Sequence, residues 1–184
     1  MRVLVVHGYT SHCNAEWFPW LKEKLEGEGI QVIIPEMPDS DAPVLEKWLS
    51  CLDNVIPNLD ENTILVGHSL GCITLIRYLL KQNRRVRGII LVSGFIGENP
   101  MKIQTNELSE FTKEEIDVDR LEKLADTRVT ITAENDNIVP TNATQMMAKK
   151  INSELIVLRE GKHFIAMDGY TSFPLVYEEI KKLI

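Results

Sequence analysis

Six short runs rich in Val, Ile and Leu, separated by segments with helical periodicity, constrain the fold of this chain more than any other feature. The runs are RVLVV, QVIIP, TILVG, VRGIILVS, RVTITA and ELIVL. Strands buried on both faces read as continuous apolar runs, whereas half-buried strands alternate between apolar and polar residues. Strands that alternate with helices predict an α/β protein with a doubly wound, mostly parallel sheet of about six strands and helices on both faces.

The intervening segments carry the apolar stripe of amphipathic helices. NAEWFPWLKEKLEG predicts a helix with Asn14 as N-cap and Gly27 as its end, and DAPVLEKWLSCLDNVI predicts one capped by Asp41. The segment after Ser69 is apolar nearly all round as far as Arg77, which predicts a central helix. TNATQMMAKKI and SFPLVYEEIKKLI predict two more.

One charged, irregular segment interrupts this alternation. Residues 97–126, here called the insertion, lie between the fourth and fifth runs, and ELSEFTKEEIDVDRLEKL within them predicts one or two short exposed helices. We interpret this segment as an insertion and not as a second domain. The 184 residues suit a single domain over 1–184 that buries one core without disulfides or a metal.

Composition limits the partners and the compartment that we expect. The net charge is −7, and without a strongly basic face nucleic acid and anionic membranes are poor candidate partners. The three cysteines form no CxxC pair, which indicates reduced thiols. The apolar start RVLVVHG is too short for a signal peptide, and no stretch approaches the roughly 20 apolar residues of a membrane span. We therefore expect a cytoplasmic protein.

The stretch TILVGHSLGCITLI places a G-x-S-x-G motif between a predicted strand and a predicted helix. In this setting Ser69 stands on a tight turn that lifts its hydroxyl above the sheet, as in a nucleophile elbow. Gly67 and Gly71 are expected because a side chain at either position would strike the neighbouring strand or helix. The backbone N–H of Leu70, at the helix N-terminus, is expected to face the reaction site as an oxyanion donor.

A serine nucleophile needs a base that a carboxylate steadies. In α/β hydrolases the order along the chain is Ser, then Asp or Glu, then His. Only His163, in EGKHF after the last run, follows Ser69 with strands in between. RVTITAENDNIVPTN offers two acids, and we favour Asp136, which lies further into the loop, with Glu134 as the alternative. His68, inside the elbow, is expected to pack or to form a hydrogen bond.

The loop after the first run, HGYTSHCN, is expected to supply the second oxyanion donor. Gly8 permits a sharp turn that would point the N–H of Tyr9 inward. His12 in this loop, Trp17 and Phe95 are candidate substrate contacts, although the helical spacing of Trp17 favours core packing. No cofactor or metal is expected, because turns and caps explain the acidic cluster in PEMPDSDAP.

Five stretches, VVHGYTSHCNAEWFPWL, LVGHSLG, LVSGF, DNIVP and GKHF, together resemble the compact serine hydrolases related to retinoblastoma-binding protein nine and its bacterial relatives. The resemblance covers essentially the whole chain. It implies a small α/β-hydrolase fold without the two leading antiparallel strands of larger members. It also implies a triad of Ser69, Asp136 and His163, with oxyanion donors at Tyr9 and Leu70.

The sequence therefore predicts a cofactor-independent serine hydrolase that cleaves a carboxylic ester or related acyl bond of a small soluble substrate through an acyl-enzyme. Thioesterase and peptidase activities stay open at this point. The alternative from another class is a protein-binding module on a hydrolase scaffold, with little physiological catalysis. A protein partner of this kind would use the exposed insertion.

Overall fold

A computed structural model describes residues 1–97 and 108–184 of the protein. The strands are β1 (Arg2–Val6), β2 (Gln31–Ile33), β3 (Thr63–His68), β4 (Gly88–Val92), β5 (Arg128–Ala133) and β6 (Glu154–Leu158). The helices are α1 (Phe18–Glu26), α2 (Leu45–Val55), α3 (Leu70–Gln82), α4 (Ser109–Thr112), α5 (Val118–Leu124), α6 (Thr141–Lys150) and α7 (Pro174–Lys181), with a 3₁₀ helix at Ala166–Asp168. Within the insertion, positions 98–107 lie outside the described residues.

The six strands form one sheet in the order β2-β1-β3-β4-β5-β6, and every pairing is parallel. All six apolar runs are therefore strands, as predicted, and the sheet of the described residues is wholly parallel. β3 lies between β1 and β4, so the turn after β3 stands near the middle of the carboxyl edge. Ligands of open α/β sheets bind beyond that edge.

Helices cover both faces of the sheet, which confirms the doubly wound architecture. α1 and α7 pack on one face, where their apolar residues meet Val5, Val66 and Ile90. α2, α3, α5 and α6 pack on the other face against Leu4, Leu65 and Leu91. Residues Leu70 to Leu80 of α3 are all buried, so this helix is central, as its apolar composition predicts.

Two predicted helix caps are wrong, and proline explains both. α1 begins at Phe18 and not near Asn14, with a proline in its first turn, where the fixed φ suits a helix start. α2 begins at Leu45 and not beside Asp41, because Pro43 disfavours helical geometry at the residue before it. Gly27 directly follows the end of α1, as predicted, but its backbone angles are those of a right-handed helix. The left-handed backbone conformation that often ends a helix occurs two residues later, at Gly29, where φ is 79°.

The described part of the insertion contains two short helices, α4 and α5, and it is less exposed than predicted. Phe111 and Leu121 are fully buried in the core that surrounds α3. Arg77 of α3 donates hydrogen bonds to three backbone carbonyls of the insertion, those of Phe111, Glu114 and Glu115. Throughout the described part of the chain, every helix is too short or too polar to cross a membrane.

Candidate active site

Ser69 occupies a strained turn between β3 and α3. Its backbone angles are φ 54° and ψ −122°, which residues other than glycine rarely adopt. Residues held in such strained conformations cluster at functional sites. The turn is fixed on both sides, because the N–H of Ser69 donates to the carbonyl of Val92 at 2.9 Å and its carbonyl accepts from Cys72 at 3.0 Å. This strand-turn-helix geometry is that of a nucleophile elbow.

The glycines of the G-x-S-x-G motif are sterically required. A Cβ at Gly71 would lie 2.1 Å from the carbonyl oxygen of Val6 on the neighbouring strand β1. A Cβ at Gly67 would lie 2.8 Å from the Cα of Cys72 in α3. Both distances are below any real Cβ contact, which confirms the predicted reason for the two glycines.

Asp136 and His163 meet at the same edge of the sheet. The imidazole Nδ1 of His163 lies 3.1 and 3.0 Å from the two carboxylate oxygens of Asp136. Both side chains are buried, with exposed fractions of 5% for His163 and 0% for Asp136. The carboxylate is itself held, since Oδ1 accepts the backbone N–H groups of Ile138 and Val139 at 3.0 and 2.9 Å.

Of the two acids that the sequence offered, only Asp136 contacts His163. Glu134 is exposed, and its backbone N–H donates to the carbonyl of Leu158 on β6. Between the two acids, Asn135 contributes a contact that the sequence reasoning missed. Its Oδ1 accepts the N–H groups of Gly161 and Lys162 at 3.0 and 2.8 Å, which ties the acid loop to the loop that carries His163.

His68 was also assigned no specific partner from the sequence. It is buried against the rings of Trp17 and Phe18 on the α1 side of the sheet. Its Nε2 lies 2.8 Å from the carbonyl oxygen of His163. Burial, with a smaller contribution from the nearby His163, lowers the pKa of His68 to about 3. The only signal in the sequence for the contact between His68 and the carbonyl of His163 was the presence of a histidine next to Ser69.

The loop after β1 passes directly over Ser69. A Cβ on Gly8 would lie 2.8 Å from the Cβ and 3.3 Å from the Oγ of Ser69. Tyr9 follows at once, and Thr10 is anchored by donating its N–H to the carbonyl of Ser40 at 2.8 Å. Neither Tyr9 nor Leu70 donates its backbone N–H to any group within 1–97 or 108–184.

The three candidate substrate contacts differ in exposure. His12 is exposed, and its Nδ1 accepts the N–H of Asn14 at 3.3 Å. Trp17 and Phe95 have no exposed surface, which favours packing roles for both. The indole of Trp17 contacts the rings of Phe18, His68 and Phe173.

Among the described residues, neither a reactive thiol nor a cluster of metal ligands lies beside the elbow. Cys72, one turn after Ser69, is fully buried, and burial raises the pKa of its thiol. Its Sγ lies 3.3 Å from the carbonyl of Val92, so it acts as a small core residue. Across the described residues, no cluster of three His, Cys, Asp or Glu side chains is placed to hold a metal ion.

Known proteins are similar in sequence to this chain over most of its length. The family model described as serine hydrolase matches residues 3–182. The candidate hydrolase YdeN of Bacillus subtilis strain 168 is 38% identical over 179 residues, which covers 96% of this chain and 93% of YdeN. The serine hydrolase RBBP9 of Rattus norvegicus is 24% identical over 149 residues, 80% of this chain and 77% of RBBP9.

Solved structures share its fold. The crystal structure of the ydeN gene product from B. subtilis superposes with a TM-score of 0.93 at 38% identity, covering 99% of this chain and 97% of that one. Est1E from Butyrivibrio proteoclasticus superposes with a TM-score of 0.72 at 16% identity, covering 98% and 85%, and this similarity extends to the fold alone.

Proposed function

This chain belongs to the serine hydrolase family and is therefore a hydrolase, and we propose that it cleaves a carboxylic ester or a related acyl bond of a small soluble substrate. In this proposal Ser69 is the nucleophile, His163 is the general base and Asp136 orients His163. The observation that carries the proposal is the buried contact between Asp136 and Nδ1 of His163, next to the strained turn of Ser69.

The geometry of His163 defines how the proton would move. Nδ1 faces the carboxylate, so Nδ1 carries the hydrogen and Nε2 is left to accept the proton of Ser69. As Ser69 Oγ bonds to the carbonyl carbon, Nε2 takes the hydroxyl proton. The protonated imidazole then returns this proton to the leaving alcohol when the ester C–O bond breaks. Water cleaves the acyl-enzyme by the same route, with His163 again as base.

Two backbone N–H groups are proposed to hold the oxyanion. Leu70 is the first residue of α3, where the helix N-terminus favours negative charge. Tyr9 follows Gly8, whose backbone runs against Ser69. Both N–H groups are without an acceptor among residues 1–97 and 108–184, so both are free to bind a developing oxyanion.

The type of bond cleaved, the domain organisation and the cellular location are further parts of the proposal. An ester is proposed ahead of a thioester or a peptide, and each would use the same triad. We also propose a single domain, because all six strands lie in one sheet, and a cytoplasmic location, because all three cysteines are free thiols. The alternative of a protein-binding module stays a prediction, and a partner still captured after Ser69→Ala would support it.

Covalent labelling tests the proposed nucleophile directly. A fluorophosphonate should add one adduct to the intact protein, and peptide mapping should find it on Ser69. Ser69→Ala should be unlabelled and should lose hydrolysis of chromogenic acyl esters while it unfolds at a similar temperature. Labelling of Cys72 or of another serine, or full activity in Ser69→Ala, would overturn the proposed function.

A further inference from the structure

His68 connects the turn that carries Ser69 to the loop that carries His163. Its Nε2 lies 2.8 Å from the carbonyl oxygen of His163, a residue 95 positions away, and the two rings lie 4.9 Å apart. A carbonyl oxygen can only accept a hydrogen bond, so Nε2 of His68 must carry the hydrogen. The contact is therefore a directed bond from the elbow to the backbone of His163.

The second nitrogen of His68 supports the same tautomer. With Nε2 protonated, Nδ1 of the neutral ring is an acceptor, and it is buried without a partner in the described part of the chain. The Nε1 of Trp17, which can only donate, is buried and unpartnered in the same way, and the two rings lie edge-on at 6.1 Å. Nδ1 has no acceptor among the described residues, so nothing there would stabilise a hydrogen on that nitrogen.

The ring is also held neutral. Trp17 and Phe18 pack against it, and burial lowers its pKa to about 3. The titratable groups that act on it are His163 and His7, which oppose its protonation, and Asp136, which favours it. A neutral His68 can donate to the carbonyl of His163 without placing a second positive charge beside the imidazolium that forms there.

The loop that receives this bond needs external support. Lys162 and Phe164, on either side of His163, have φ values of 47° and 56°. Residues other than glycine keep such angles only where the surrounding structure holds them. Asn135 holds the loop before His163 through two N–H groups, and His68 holds it at His163 itself.

We propose that His68 is a positioning residue, which holds the backbone of His163 through its Nε2–H so that the imidazole stays aligned between Ser69 and Asp136. The proposal rests on the proposed function. His68 contacts no substrate in this scheme and acts through His163 alone. Its loss should therefore lower turnover and leave substrate binding nearly unchanged.

Two amide variants separate the hydrogen bond from the ring. The amide nitrogen of His68→Gln falls near the position of Nε2 and can still donate to the carbonyl of His163. That of His68→Asn falls near Nδ1 and cannot reach it. We expect kcat to fall roughly 10- to 100-fold in His68→Asn with KM within about twofold, since small misplacements of catalytic groups cost this much. His68→Gln should stay within about threefold of the wild type.

Thermal unfolding of both variants is the matched control for folding. The proposal is overturned if His68→Asn keeps wild-type kcat, or if His68→Gln loses as much turnover as His68→Asn while both are folded. In those cases the donated hydrogen bond does not position His163.

A spectroscopic test on the unmodified protein does not depend on how the variants fold. Nitrogen NMR of the imidazole rings should show one histidine with a protonated Nε2 and a bare Nδ1 that persists from neutral pH to about pH 4. Its assignment is given by the loss of these signals in His68→Gln. A His68 that is protonated at Nδ1, or that titrates between pH 5 and 8, would overturn the proposal. Activity in Ser69→Ala would instead overturn the proposed function, so the two failures are distinguishable.

Discussion

At the scale of single residues, the Asp136 carboxylate contacts both the imidazole of His163, the proposed base, and its own loop. One oxygen, Oδ1, accepts two backbone N–H groups, and both oxygens lie about 3 Å from Nδ1 of His163. The loop bonds fix how the side chain is rotated. A substitution of Asp136 that keeps the two bonds from Ile138 and Val139 therefore fixes which side-chain atom faces Nδ1 of His163.

Asp136→Asn should abolish most of the turnover without unfolding the protein. The amide oxygen will keep the two backbone bonds, which turns the amide NH₂ toward Nδ1 of His163. Nδ1 must then accept, so Nε2 carries the hydrogen and cannot take the proton of Ser69. We expect kcat to fall about 10³- to 10⁴-fold. The measurement is steady-state hydrolysis of a nitrophenyl ester.

Glu134→Gln is the matched control, because Glu134 is exposed and its side chain is not bonded to His163. It should stay within about threefold of wild-type turnover, as surface changes usually do. A large loss in Glu134→Gln with little loss in Asp136→Asn would assign the acid to Glu134.

Residue identity predicted the contacts between side chains better than those made to the backbone. The contact between Asp136 and His163 was expected because the order of residue types along the chain is informative. Asn135 and His68 were missed because each bonds to backbone groups, and a backbone group has the same chemistry at every position. Only the folded loops decide which carbonyl or N–H those side chains meet.

At the scale of elements, α3 packs on β1 so closely that there is no room for a side chain at Gly71. In most helix interiors Gly→Ala stabilises by about 1 kcal/mol. Here the added Cβ would lie 2.1 Å from the carbonyl oxygen of Val6 and 2.8 Å from that of His7, both of which are backbone atoms. We expect Gly71→Ala to destabilise the protein by about 3 kcal/mol or more, a reversal of the usual sign.

Gly27→Ala is the control for this prediction. Gly27 has φ −60°, and a Cβ there would meet only one carbonyl, that of Glu23, closely, at 3.2 Å. Its effect should stay within about 1 kcal/mol. Urea unfolding of the two variants and the wild type measures both effects. Equal stabilities for Gly71→Ala and Gly27→Ala would show that α3 can move away from β1.

The elements themselves were predictable because an apolar run marks each of the six strands. Burial on both faces explains this pattern for the inner strands, whereas β2 and β6 at the sheet edges are more exposed than their apolar runs predicted. Helix starts were not, since Asn14 and Asp41 are good caps whose geometry is overruled by a proline nearer the helix. Packing of the insertion was also underestimated. Its charged composition conceals a few apolar residues, and the three carbonyls that Arg77 binds carry no sequence signal at all.

At the scale of the whole molecule, burial of neutral histidines links folding to pH. The pKa of His68 is about 3 in the folded protein and about 6.5 in an unfolded chain. Between these values the unfolded chain binds a proton that the folded protein does not, so the free energy of unfolding decreases as the pH falls through this window. Burial lowers the pKa of His7 as well, which adds an effect of the same sign.

His68→Gln should reduce by about one the number of protons that the chain takes up on unfolding between pH 6 and pH 4. Between about pH 6 and pH 4 the stability of the wild type should fall more steeply than that of the variant, by up to about 1.4 kcal/mol per pH unit. Denaturant curves at half-unit pH steps give both slopes. Parallel slopes in the two proteins would mean that His68 is protonated equally in the folded and unfolded states.

The described part of the insertion also bears on substrate size. A roof over a long acyl chain must offer apolar side chains that are free to contact it. Val118 is partly buried against the protein core around α3, and five further apolar side chains of this segment are buried within it: Leu108, Phe111, Ile116, Leu121 and Leu124. The polar positions between them, such as Glu114 and Asp119, face solvent. These residues of the insertion therefore hold it to the body and contribute no lipid-facing surface.

We accordingly expect a preference for short acyl chains, roughly two to six carbons, because each further methylene that stays in water forgoes about 0.8 kcal/mol of burial. The measurement is kcat/KM for nitrophenyl esters of increasing chain length, below and above the micelle threshold, with Ser69→Ala as the blank. The specificity constant should level off beyond about six carbons and should not respond to micelles. A steady rise to about twelve carbons, each step near the full 0.8 kcal/mol, would require a buried acyl tunnel. A jump in rate at the micelle threshold would instead require a cover that opens at a lipid surface, and either result would contradict the expected preference for short acyl chains.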